Sequence, residues 1–161
     1  MNYQDITNRY KRKRRYKVIK QKYFIDDNGV KHIVDGRHVL FKTTNKETEI
    51  ATILGQTLGE KVCLIPVVLK PKGIQTPDYI INNRKFDLKQ ITGNGKNTLD
   101  TAISKKRKQS ENFVFDISKT EMSIEQILIQ IEKIYNSKNR TWLDIIILIK
   151  DNKVLKIFKR K

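Results

Sequence analysis

The sequence predicts one α/β (α+β) domain, a mixed central sheet flanked by helices, with an N-terminal β-hairpin unit ahead of it. Three observations predict this class. Short apolar runs are bounded by Gly, Pro, Asn and Asp, as strands are. Apolar residues recur at helical period in separate stretches. The two patterns interleave through the middle of the chain as helix, strand, strand, strand, helix, strand, which is the order of a mixed sheet with a helical crossover.

At the N-terminus, RYKRKRRYKVIKQKY (9–23) is the densest basic run, with three tyrosines interleaved. A flexible basic arm over residues 1–15 is expected, offering cations to phosphates and tyrosine rings to bases. Lys17–Ile25 and Val30–Val34 flank Asp26-Asp27-Asn28-Gly29, which reads as a hairpin turn. Asp35-Gly36 turns the chain again before HVLF at 38–41, closing a small antiparallel unit over 16–41.

Thr44 and Glu47 have capping-box spacing, and Ile50, Ala51, Leu54 and Leu58 follow at helical period until Gly59. VCLIPVVL (62–69) reads as a strand, and a loop with Pro71 and Gly73 leads to Pro77. YII (79–81) and KFDLKQI (85–91) form a hairpin across Asn82-Asn83-Arg84. The loop TGNGKN (92–97) feeds a second helix from about Thr98 that is expected to carry Leu99, Ala102 and Ile103 on its buried stripe and to extend through Gln109. FVFDI (113–117) reads as a buried strand. Ser123 and Gln126 form another capping box ahead of a third helix, and WLDIIILIK and KVLKIFK close the chain as two strands around Asp151-Asn152.

Composition narrows the function. The 161 residues carry 34 Lys plus Arg against 17 Asp plus Glu, a formal charge of +17. Such an excess repels itself and points to a polyanionic partner: nucleic acid first, an anionic membrane or an acidic protein as alternatives. No run approaches the ~18 apolar residues of a membrane span, and MNYQDITNRY has no signal-peptide core. Cytoplasm is the expected place of action. Cys63 is the single cysteine, so an internal disulfide and a cysteine-based zinc site are excluded. His32, His38, Trp142 and Cys63 read as structural.

The chemistry centres on Phe86-Asp87-Leu88-Lys89. Strand alternation puts Phe86 and Leu88 toward the core and Asp87 and Lys89 together on the other face. The hairpin brings Asp78 toward the same place. Carboxylate oxygens suit a hard cation, Mg²⁺ or Mn²⁺, held by Asp78 and Asp87. Such an ion activates water and neutralises a phosphate, while Lys89 orients the water or offsets developing charge. An exposed face with an ordinary ion pair is the alternative for Asp87 and Lys89. The loop GNGKNT sits before a helix N-terminus, where backbone N–H groups and Lys96 read as a phosphate cradle and Asn97 or Thr98 as the cap. On the helix beyond, Lys106 falls on the buried stripe, Gln109 at its edge, and Lys105, Arg107 and Lys108 outward as backbone-phosphate contacts.

Pro77-Asp78 followed by Asp87-Leu88-Lys89 resembles the PD-(D/E)xK nuclease signature, which implies a restriction-endonuclease-like core. That superfamily carries an acidic residue on the helix before the sheet. With Ile50 at zero on a helical wheel, Leu54, Leu58 and Ala51 fill an arc of roughly 100°. Glu47 lies inside that arc and Glu49 outside it, so Glu47 is favoured; a shifted helix start would promote Glu49. Gln109 resembles the helper glutamine of some members. A closer resemblance covers residues 35 to 161. PDY, FDLK, GNGKNT, the KQ-containing helix and the closing KVLKIFK look like the C-terminal tRNA-cleaving toxin domain of CdiA-type contact-dependent inhibition proteins. That resemblance implies an RNase acting on tRNA and an acidic immunity protein that blocks it. A metal-independent cleavage through the 2′-hydroxyl, a PD-(D/E)xK DNA endonuclease and a non-catalytic nucleic-acid-binding module are the competing readings. The expected organisation is an arm over 1–15 and a single nuclease domain over 16–161, divided into the hairpin unit (16–41) and a catalytic core (42–161).

Overall fold

The computed structural model describes residues 1–10 and 15–161. In chain order the strands and helices are Tyr3–Asp5 (β1), Lys17–Lys20 (β2), Tyr23–Ile25 (β3), Lys31–Ile33 (β4), Val39–Leu40 (β5), Asn45–Leu58 (α1), Lys61–Leu64 (β6), Val67–Val68 (β7), Tyr79–Ile81 (β8), Arg84–Gln90 (β9), Thr98–Ile103 (α2), Asn112–Asp116 (β10), Ile124–Asn136 (α3), Ile145–Lys150 (β11) and Lys153–Arg160 (β12). The class is the expected one, α+β with a large mixed sheet flanked by a few helices. The chain divides into two compact units, residues 11–87 and residues 1–10 with 88–161. The division falls inside β9.

In the unit of residues 11–87, β6 pairs with β2 in parallel and with β8 in antiparallel, and β8 pairs antiparallel with β9. A parallel pair needs a crossover, and α1 supplies it. Thr44 and Glu47 make both halves of the capping box, and Gly59 closes the helix in the left-handed conformation at φ 66°. Ile50, Ala51, Leu54 and Leu58 are buried, as their period requires. Asn82 and Asn83, at φ 53° and 60°, turn β8 into β9.

The segment 16–41 is not one antiparallel unit. Only β3 and β4 form the hairpin, with Asp26 Oδ1 accepting the N–H groups of Asn28 and Val30 across the turn; β2 pairs with β6, and β5 with β7. The run at 62–69 breaks into β6 and β7 because Pro66 has no N–H for a ladder. Tyr16, just ahead of β2, meets α1. Its ring lies against Gly55 of α1, and its hydroxyl accepts from Gln56 Nε2 at 3.2 Å.

In the other unit the strand order is β1-β12-β11-β10, with β10 and β11 parallel and the remaining pairs antiparallel. Asp151 and Asn152, at φ 49° and 61°, make the closing turn. α3 carries its capping box at Ser123 and Gln126 and packs Ile127, Ile131, Ile134 and Tyr135 with Phe113, Phe115, Ile146 and Leu148. The first residues, expected in the arm, are built into this sheet. Tyr3 stacks on Tyr135 with ring centroids 4.9 Å apart, and Ile6 is buried. Burial of these two apolar side chains outweighs the solvation of the charged flank. The basic residues at 11–14 lie outside the described residues.

The second helix is shorter than expected. α2 ends at Ile103, and residues 104–109 continue as turns, with Gln109 N–H donating to the Lys106 carbonyl. Past Ile103 no apolar residue recurs to bury, and four successive cations at 105–108 repel one another at helical spacing. Trp142 precedes β11 rather than opening it. Its Nε1 donates to the Asn139 carbonyl and its ring meets Phe113 edge-on at 6.0 Å.

Candidate active site

Three acidic residues of the unit 11–87 gather around one buried tyrosine. Pairing of Tyr79 with Phe86 fixes the β8–β9 register; Asp78 directly precedes the first of these residues and Asp87 directly follows the second. Asp87 is 1% exposed, which is not the exposed face of the alternative reading, and both Phe86 and Asp87 of β9 are covered. A buried carboxylate is rare without a partner or a task. Asp87 does have polar or electrostatic contacts, while its Oδ2 is shut from solvent and accepts no hydrogen bond among the described residues.

Tyr79 is buried, and its hydroxyl donates to the Glu47 carbonyl at 2.8 Å, tying the first turn of α1 to β8. Burial pushes this hydroxyl far above its ordinary range, and the charges of Asp78, Glu47 and Asp87 push it further. Glu47 shows the same field. Its half-buried carboxyl is raised by desolvation, against the lowering effect of its capping bonds with Thr44, and raised again by Asp87. Glu49 stands exposed on the helix beside Lys46, 3.9 Å away. The helix start observed therefore keeps Glu47, not Glu49, with the carboxylates. Tyr79 is the member that pattern reading missed; its place directly after Asp78, opposite Phe86, is the signal that marks it.

Lys89 follows Asp87 by two residues along β9 and is half-exposed. Lys89 and the remaining candidates belong to the unit of 1–10 and 88–161. Asn97 occupies the cap position of α2, where its carbonyl accepts the Thr101 N–H but its side chain makes no cap bond; its Oδ1 accepts from Lys133 Nζ at 2.7 Å. Gln130 of α3 does the capping. Its Oε1 accepts the Leu99 N–H at 3.0 Å and its Nε2 donates to the Gly95 carbonyl at 2.9 Å. Thr98 Oγ1 also donates to Gly95, and Thr120 Oγ1 to the Gly93 carbonyl. The loop carbonyls of Gly93 and Gly95 thus accept side-chain bonds, and the Leu99 N–H of the six-residue helix behind the loop is met by a side chain. Lys96, Lys105, Arg107 and Lys108 are exposed, whereas Lys106 and Gln109 are half-buried. With α2 ending at Ile103, Lys106 and Gln109 do not share a helical face with Leu99.

His32 Nε2 meets Asp26 Oδ2 at 2.8 Å, and His38 Nδ1 meets Asp35 Oδ2 at 3.4 Å, so both histidines are engaged with turn carboxylates. Cys63 is buried. Among the described residues no three His, Cys, Asp or Glu side chains close into a metal cage. Mg²⁺ does not demand one, since it is commonly bound by one or two carboxylates and keeps its waters. The all-oxygen pair Asp78 and Asp87 fits that mode. Among the described residues no helix is long and apolar enough to cross a membrane.

Residues 75–154, which include Asp78, Asp87 and Lys89, match the model of the contact-dependent growth inhibition CdiA C-terminal domain. Among solved structures the chain is similar to a CdiA-CT/CdiI toxin and immunity complex from Burkholderia pseudomallei. That likeness has 25% sequence identity and a TM-score of 0.56 over 88% of this chain and 98% of that chain. The fold is that of a CdiA-CT toxin. No curated protein matches the chain.

Proposed function

We propose that this chain is a CdiA-type toxin domain acting as a nuclease on tRNA in the cytoplasm of the cell it enters, and that an acidic immunity protein neutralises it. The observation that carries the reading is the gathering of Asp78, Asp87 and Glu47 around Tyr79, in a fold like that of those toxins and with Asp78, Tyr79 and Asp87 inside the segment that matches them, in a chain of charge +17. Carboxylates placed in so basic a chain repel phosphate unless a cation or proton intervenes. Asp78 and Asp87 would hold Mg²⁺ or Mn²⁺, which when bound lowers the pKa of water and neutralises the scissile phosphate. Lys89 orients the attacking water or offsets charge on the phosphoryl oxygens. Glu47 adds the third carboxylate, fixed in place by its capping box and by Tyr79. Exposed Lys96, Lys105, Arg107 and Lys108 contact the RNA backbone; such contacts bind without reading sequence.

The test is incubation of total tRNA and of duplex DNA with the chain, in Mg²⁺ and in EDTA. Cleavage of tRNA in Mg²⁺ alone is expected. Cleavage undiminished by EDTA overturns the metal, preference for duplex DNA overturns the substrate, and no cleavage of either overturns the enzyme.

A further inference from the structure

The β3–β4 hairpin breaks the rule for a small antiparallel sheet, which buries one face and wets the other with polar side chains. Its inner face is ordinary: Phe24 is 2% exposed and His32 lies under Asp26. The register sets Tyr23 beside Ile33 and Ile25 beside Lys31 on the outer face. Ile25 is 50% exposed, Ile33 59%, and Val30 at the turn 51%. Ile25 and Ile33, diagonal neighbours on the outer face, leave two large aliphatics open there, with Val30 exposed at the turn beside them, the mark of an interaction surface. Beside it lies a concavity of about 450 Å³ whose lining includes Tyr23, Ile25, Cys63 and Ile80, with Glu60 and Lys61 among its polar residues.

We infer that this hairpin face and its concavity are the docking surface for the acidic immunity protein, a claim that rests on the function proposed above. A knob of aliphatic side chains beside a hollow suits the uneven surface of a folded protein, where anchors fill pockets; a lipid surface offers no side chain to fill the hollow. The surrounding cations give the partner its charge. Lys22, Lys31 and Lys61 are exposed, and Lys31 stands over the Tyr23 ring at 4.3 Å, which holds its charge at the patch. Against a chain of charge +17, an acidic partner gains in both encounter rate and specificity. None of Ile25, Lys31 or Ile33 belongs to the carboxylate site, so docking and catalysis are separable.

The experiment measures binding of the purified cognate immunity protein to the full chain, to Ile25→Thr/Ile33→Thr and to Lys31→Glu. Threonine keeps the strand shape and removes apolar surface. The double variant is expected to bind at least roughly 30-fold more weakly, as loss of central anchors does. Lys31→Glu should slow association and flatten its salt dependence. Melting temperature and tRNA cleavage should match wild type in both variants. Unchanged affinity in the double variant, with wild type bound, overturns the surface and leaves the toxin reading standing. No complex with wild type overturns the partner and the surface together. A wild-type dimer that dissociates on the double substitution assigns the patch to a second copy and overturns the proposal, as does binding to anionic phosphatidylglycerol vesicles lost in the same variant.

Discussion

Gln130→Leu tests how the loop at 93–97 and the start of α2 are held. The amide of Gln130 is 6% exposed and satisfies two backbone groups, the Leu99 N–H at 3.0 Å and the Gly95 carbonyl at 2.9 Å. Leucine matches the volume, so little cavity forms and the loss is polar. The Leu99 N–H sits at a buried residue and is left without an acceptor, costing about 1–3 kcal/mol. Gly95 is exposed, so water replaces the amide at its carbonyl and adds at most about 0.5 kcal/mol. The sum is about 1–3.5 kcal/mol, or roughly 2–14 °C of melting temperature at this chain length. Urea and thermal unfolding at pH 7 measure it. Gln130→Glu should lose less, because a carboxylate still accepts from Leu99 and favours the helix N-terminus. A leucine variant within 0.5 kcal/mol of wild type would refute the cap.

Further outcomes follow from other contacts. Gly55→Ala should destabilise by about 1–2 kcal/mol despite the better helix propensity, because its Cβ would meet Tyr16 Cδ2 at 2.8 Å; in a Tyr16→Ala background the same change should stabilise, and no sign reversal in urea unfolding sinks the contact. Asp87→Asn in metal-free buffer should lower the Glu47 pKa, since it removes a charge that raises it; carbon-detected NMR titration would read an unmoved Glu47 as evidence that the two do not interact. The Asp35 carboxyl is held at about 2 by the N–H groups of Val39, Arg37 and His38, below an ordinary value of 3.8. Its contribution is therefore fully present above pH 3.8 and lost as pH falls toward 2, so Asp35→Asn should flatten stability against pH in that window. An equally steep acid limb in the variant would place the transition elsewhere.

Much of the fold was legible because local chemistry and tertiary packing agree. Thr44 with Glu47 and Ser123 with Gln126 mark the helix starts observed, and the Asn82-Asn83 and Asp151-Asn152 pairs turn at positive φ where hairpins were read. What failed depended on distant partners. Nothing in MNYQDITNRY announces that Tyr3 will stack on Tyr135, 132 positions away, or that β1 will pair with β12 at the far end of the chain. Lys105 to Lys108 continue a helical count that packing does not support. Asp78, Asp87 and Glu47 were readable as a motif and a wheel position, whereas burial of Asp87 and the role of Tyr79 required the covering elements. Gln130 lies 31 residues from the N–H it caps, beyond any local pattern.

The most direct test of the account is the single-turnover rate of tRNA cleavage in Mg²⁺ by wild type and by Asp87→Asn, with tRNA binding measured in parallel. Asparagine keeps the shape of the side chain and removes the charge. The account predicts a rate lower by roughly 10³-fold or more with binding to tRNA retained. An Asp87→Asn chain that cleaves tRNA as fast as wild type would contradict it.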